Sequence, residues 1–331
     1  MPRSMNHVIQ LLLTLVIALA LVASVACGGG DDEEDATPTP DATAEETPEG
    51  SDQIGEESVI VDEAFWHAGW KVTLGEATLS EGETGGGELF VEAEFENLGT
   101  DEATFDSQLL ITSAGNDYAD ETFEGHDFPA VPGLRTGDGS LSFSVDEEFV
   151  LDEATLIIGN AVNQQATVPI GADGDDLVSL EPVDIAAAGT ATAGAVTLTI
   201  ERAQLRADLP EKHSEMKAGK MAMIVFFSAT PGSGIQIGQG VLQSENVLLE
   251  LPNGTAVAVI SDGVSGVNEL LQGKEGTTIP DLAVRFEVEE PVEGAHAFVV
   301  RGNYGPGGAD AEGKFTFVVP AAGTATPTPK P

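Results

Sequence analysis

The chain has a single cysteine, Cys27, in 331 residues, so no intramolecular disulfide can form. Stability must come from buried area, which a domain above ~100 residues can supply without cross-links. Cations are scarce as well. Lys and Arg total 13 against 56 Asp and Glu, a formal charge of −43. Such a chain repels phosphate backbones, so nucleic acid is excluded as an expected partner. Anionic lipid surfaces repel it too, so any membrane attachment must be covalent or apolar. Aromatics make up 5% and are mostly Phe. Helical periodicity is nearly absent beyond the first thirty residues, where Val267 to Gln272 (VNELLQ) is the one short helix candidate. Catalytic signatures are missing too: there is no H-E-x-x-H, no G-x-S-x-G and no glycine-rich phosphate loop. His126-Asp127 is an acid–histidine neighbour pair without a recognisable nucleophile motif. The expectation is a non-catalytic protein with no cofactor, no metal site and no catalytic residues.

One long apolar run is present. Val8 to Ala26 is interrupted only by Gln10, Thr14 and Ser24, and it follows Arg3. Its length fits the apolar core of a secretion signal and is short for a membrane-spanning helix. It ends in Ser24-Val25-Ala26-Cys27, followed by Gly28-Gly29-Gly30. Small residues before a cysteine and glycines after it resemble the lipobox of bacterial lipoproteins. The resemblance covers about thirty residues and implies lipidation of Cys27. Ser24 stands where that family prefers Leu. Ser24-Val25-Ala26 also fits an ordinary small-x-small cleavage site, so simple secretion is one competing reading, and an uncleaved apolar anchor is the other. Residues 1–26 are thus read as a signal peptide, with the mature chain lipid-anchored on the extracytoplasmic face of a membrane. Residues 27–57, rich in Asp, Glu, Thr and Pro, offer no core and read as a disordered acidic tether; 321–331 (AAGTATPTPKP) read as a disordered tail.

Between the tails the pattern is of short strands separated by Gly, Asn, Asp and Pro. In Leu89 to Glu96, Val91, Ala93 and Phe95 fall on one face and Glu92, Glu94 and Glu96 on the other. That is a half-buried antiparallel strand with a wet outer face. The two halves also repeat. Seventeen residues separate Phe143 from Asn160, and the same number separate Phe286 from Asn303. Val72-Thr73-Leu74 likewise matches Leu198-Thr199-Ile200. The fold class expected is all-β, with two tandem antiparallel β-sandwiches at 58–172 and 195–320 joined by a linker at 173–194. Val183 to Ile185 is placed as a separate edge strand of the second copy.

Gly85 to Tyr118 resembles the telokin-like, immunoglobulin-like domain of unknown function found in bacterial surface lipoproteins. The resemblance rests on an alternating strand reaching Asn97-Leu98-Gly99, then a second strand and the corner Gly115-Asn116-Asp117-Tyr118. It implies an immunoglobulin-like sandwich and supplies no catalytic residues. The second copy departs from it, with Thr230-Pro231-Gly232 at the turn.

Acidic runs at Asn116, Asp117, Asp120 and Glu121, and at Asp173, Asp175 and Asp176, are candidate calcium ligands without EF-hand spacing. Phe65, Trp66 and Trp70 are expected to plug the end of a core rather than to stack a sugar. Arg202, Arg206, Lys212, Lys217 and Lys220 surround an expanded loop of the second copy, Ala207 to Gly219. They either neutralise neighbouring acids or dock the loop on the acidic first copy or on an anionic partner. The functional expectation is a lipoprotein presenting β-sandwiches for protein or small-ligand recognition. A structural envelope spacer and a calcium-binding surface module are the alternatives.

Overall fold

The computed structural model describes residues 56–81, 86–119, 125–235, 240–261 and 266–321. Cys27, nearly all of the expected tether, Asp120, Glu121 and the tail beyond 321 lie outside them. Alternation of apolar and polar side chains dictates strands, and the described residues form antiparallel sheets packed face to face, with no α-helix among them.

The first half contributes β1 (Glu57–Ile60), β2 (Ala64–His67), β3 (Trp70–Glu81), β4 (Gly87–Asn97), β5 (Leu109–Ser113), β6 (Asn116–Ala119), β7 (Thr136–Val145), β8 (Thr155–Ile158) and β9 (Ala166–Pro169). The second contributes β10 (Val183–Ile185), β11 (Gly189–Ala193), β12 (Val196–Arg206), β13 (Lys220–Pro231), β14 (Val247–Glu250), β15 (Ala256–Ala258), β16 (Ile279–Glu289), β17 (Gly294–Gly302) and β18 (Ala311–Val319).

The two halves share one plan. One sheet runs β1-β3-β4-β7 with β2 also on β3; its counterpart runs β10-β12-β13-β16 with β11 also on β12. The facing sheets run β9-β8-β5-β6 and β18-β17-β14-β15. Even the bulges correspond: the β3–β4 register shifts between Leu74 and Ala77, and the β12–β13 register between Ile200 and Arg202. Each pair of sheets encloses its own apolar core. One holds Trp70, Phe95, Leu141, Phe143 and Ile158; the other holds Leu198, Phe227, Phe286, Phe298 and Phe317.

β4 follows the expected alternation, with Leu89, Val91, Ala93 and Phe95 buried and Glu88, Glu92 and Glu94 exposed. β13 does not alternate. Its MAMIVFF run is buried on both faces over Ala222 to Val225, and Arg202 covers Phe226 with its guanidinium 3.7 Å from the ring centre. Residues 173–194 are not a free linker. Val178 bridges Thr167, and β10 and β11 both pair with β12. Composition hid β11 (GTATA) because its side chains are small. That smallness is structural, since a Cβ on Gly189 would lie 1.9 Å from the Phe315 ring. The helix candidate is corrected as well: Asn268–Leu270 is a strand paired with Val241–Gln243. Six residues are too few to hold a helical turn against a partner strand that satisfies the same amides.

Candidate functional site

Asn97, fully buried at the end of β4, shows why that strand ends where it does. Its Oδ1 accepts the Gly99 amide at 2.9 Å, and its Nδ2 donates to the carbonyls of Asp101 and Val131. The turn exposes backbone on which the loop of the second half rests. Pro210 and His213 of that loop lie so close to Gly69 and Gly99 that a Cβ on Gly99 would stand 2.8 Å from His213 Nε2. The His213 ring packs 5.5 Å from Trp70, and Asp208 Oδ2 accepts the Gly69 amide at 2.6 Å. Asp208 Oδ1 is held at 2.7 Å by Arg206 Nε, and both residues are buried. His67, at the end of β2, places Nε2 2.8 Å from Glu215 Oε1. Asn163 donates to the other Glu215 oxygen, and Gln164 pairs its amide with the Met216 carbonyl. Glu215 consequently titrates below its ordinary value, because His67 beside it outweighs the opposing effect of burial.

The expanded loop does rest on the first half, with the carboxylates of Asp208 and Glu215, the His213 ring and backbone in the contact. Arg202 lies by Asp184, Arg206 by Asp208, and Lys220 by Glu289, so those bases neutralise acids of their own half. Asp208 and His67 are both buried at these contacts, where an unpartnered charge would be costly.

Most candidates from the sequence prove structural. Phe65 and Trp70 are core residues packed edge-on to Phe105, while Trp66 lies under Lys71 Nζ at 5.5 Å. His126 Nδ1 accepts the Ser142 amide, and its ring packs on Phe128 and Phe143. Asp173, Asp175 and Asp176 are exposed and do not converge; the Asp175 amide donates to Thr155 Oγ1. Among the described residues no three His, Cys, Asp or Glu side chains gather as metal ligands.

Two open grooves occupy corresponding places. The first, about 730 Å³, lies between the β5–β6 corner and the segment after β7, against Asn116, Asp117, Tyr118, Asp146, Glu147 and Glu148. The second, about 640 Å³, lies between the β14–β15 corner and the segment after β16, against Lys220, Pro252, Asn253, Val257, Glu289 to Glu293 and His296. Asp146, Glu147 and Glu148 occupy the repeat positions of Glu289, Glu290 and Pro291. In the first groove the polar groups satisfy one another. Tyr118 donates to Asp146 Oδ1 at 2.7 Å, that oxygen also accepts the Glu148 amide, and Asn116 Nδ2 donates to Glu148. Burial, reinforced by the bond to Asp146, pushes the Tyr118 phenol up to about 12.

The second groove has a histidine at its base. His296 is 2% exposed, stacked on Phe317 across β17–β18. Its Nδ1 lies 3.1 Å from the Gly294 carbonyl, which can only accept, so the proton of that bond sits on Nδ1. Burial pulls its pKa below the ordinary histidine value, so the ring is neutral at pH 7. Nε2 is therefore a lone-pair acceptor, and it makes no hydrogen bond among the described residues. Period-two alternation through Phe298 and Val300 does place His296 inward in the sequence. Nothing in the sequence marks the groove above it, or Asp208 and Glu215 as junction residues.

No family model and no curated protein matches the chain. A solved structure, of a conserved domain protein from Bacillus anthracis, is similar over 74% of this chain and 77% of that one, at 12% identity and a TM-score of 0.22.

Proposed function

We propose that the chain is a non-catalytic, lipid-anchored extracytoplasmic protein that presents two immunoglobulin-like β-sandwiches for recognition of a protein or small ligand. The observation carrying this reading is the position of Cys27, the only cysteine, between the apolar run Val8–Ala26 and thirty acidic, Pro/Thr-rich residues. A thioether lipid at Cys27 would hold the body to the membrane, and the tether would set its distance from the surface. Like charge and proline extend such a segment, which suits a spacer rather than a folded element. The apolar run lies outside the described residues; within them no helix is long and apolar enough to cross a membrane. Recognition, rather than spacing alone, is supported by the groove that ends in His296, a largely buried residue whose Nε2 makes no hydrogen bond among the described residues.

Mass spectrometry of the mature N-terminus tests the anchor. The expected species begins at a diacylglyceryl-modified Cys27 and partitions with membranes, and Cys27→Ala leaves the membrane fraction or stays unprocessed. An N-terminus at unmodified Cys27 overturns the anchor and favours secretion.

A further inference from the structure

The acceptor at the base of the second groove is the polar atom whose surroundings best define a ligand. His296 is almost wholly buried, its Nδ1 is tied to Gly294, and its Nε2 has no partner among the described residues. The ring stacks on Phe317 of the second core and lines the groove. A Cβ on Gly294 would meet Pro252 at 3.1 Å, so the β14–β15 corner packs tightly beside the histidine and forms one wall. Aliphatic groups line the interior: Leu251, Pro252 and Val257 on one side, Pro291 and Val292 on the other.

Charge at the groove is strongly negative. Glu287, Glu289, Glu290 and Glu293 surround it against one cation, Lys220. That lysine is engaged by Glu289 at 2.7 Å and by Glu287 at 3.7 Å. The Glu290 carboxylate has a single long hydrogen bond, 3.4 Å from Gln164 Nε2, and Glu293 makes no ion pair among the described residues. An anion is excluded by these carboxylates. Sugar stacking lacks a platform, since no Trp, Tyr or Phe lines the groove. The described residues gather no metal-ligand set there. What remains complementary is a positively charged group with an N–H to give and an aliphatic stem.

We propose that this groove binds a primary alkylammonium group, the chemistry of a lysine side chain or of a free aliphatic amine. The ammonium N–H donates to His296 Nε2, the stem lies between the Pro252–Val257 and Pro291–Val292 walls, and Glu290 and Glu293 balance the charge. This inference rests on the recognition reading above but not on the anchor at Cys27.

Calorimetric titration of the purified full chain with 1,5-diaminopentane, N-acetyl-lysine amide and choline tests it, with histidine side-chain NMR as a second readout. Saturable binding of one primary amine per chain is expected, with a shift of the His296 Nε2 resonance. A tighter diaminopentane complex assigns a free amine, and a tighter lysine-amide complex assigns a peptide side chain. Choline, which has no N–H, should bind about tenfold more weakly. His296→Phe should weaken the amine about tenfold, His296→Gln, which keeps an acceptor, less so, and Glu293→Gln about twofold. Glu293 is exposed, so that variant and the wild-type NMR shift decide the matter if His296→Phe does not fold. Absence of a saturable His296 shift with both amines overturns the proposal, as does equal binding of choline or undiminished affinity in a folded His296→Phe. A partner that binds elsewhere while the groove stays empty also overturns it, yet leaves the recognition reading standing.

Discussion

The two grooves occupy the same corner of the same strand plan and treat their polar atoms in opposite ways. In the first, the β5–β6 corner carries Tyr118, whose hydroxyl reaches Asp146 while Asn116 reaches Glu148. In the second, the corner is Leu251-Pro252-Asn253-Gly254-Thr255; Asn253 caps only its own turn through the Thr255 amide, and no tyrosine crosses the gap. Pro291 stands at the repeat position of Glu148, and His296 lies inward beneath. A duplicated frame keeps its core because apolar volume is conserved by packing. Its corners diverge because loop residues answer to what they touch, and one changed side chain suffices to open or close a groove.

The cores, by contrast, match, and the largest effects are expected there. Phe143 and Phe286 hold equivalent buried positions, so Phe143→Ala and Phe286→Ala should each lose about 3–5 kcal/mol in urea unfolding. If the buried junction couples the halves, both variants shift one common transition; two separate transitions would show that the junction does not.

Asp208→Ala comes next. It removes the acceptor of the Gly69 amide and leaves buried Arg206 uncompensated, for a loss of about 3 kcal/mol. Asp208→Asn, which keeps an acceptor, should recover part of it.

Glu215 gives the junction a pH dependence. Its folded pKa is depressed below 4.5, so its contribution is fully present above the unfolded carboxylate value and is lost as pH falls through the lower folded value. Melting temperature should therefore fall more steeply with acid in wild type than in Glu215→Gln. Equal slopes would remove Glu215 from the acid response.

The smallest effect belongs to the first groove. Tyr118→Phe should cost about 1 kcal/mol, the net worth of one hydrogen bond. Ultraviolet titration adds a sharper readout. Both tyrosines of the chain, Tyr118 and Tyr304, are raised to about 12, so little phenolate should form until well above the ordinary midpoint of 10. A transition near 10 in wild type that vanishes in Tyr118→Phe would show that the first groove is open like the second.

Much of this molecule was legible in residue order. Alternation at Leu89–Glu96 reports a sheet face because side chains alternate every residue, and that pattern is local. The equal spacing of Phe143–Asn160 and Phe286–Asn303 exposed the repeat for the same reason. Small side chains misled: Gly189–Ala193 read as linker, although its glycine is what lets Phe315 approach. Of the Arg and Lys read as neutralising acids or docking the loop, Arg202, Arg206 and Lys220 neutralise acids of their own half, while Asp208 and Glu215, which nothing in the sequence marked, reach the first half.

The sequence by itself determined that this is an all-β chain built twice on one plan, poor in cations, with one cysteine placed after an apolar run. Local periodicity and composition carry those facts. Only the tertiary structure decided that Asp208 meets Gly69 across 139 residues, that Glu215 reaches His67, and that His296 comes to line a groove. Those are contacts between side chains and backbone far apart in the chain. Their energies depend on burial and partner geometry, which no short stretch of residues encodes.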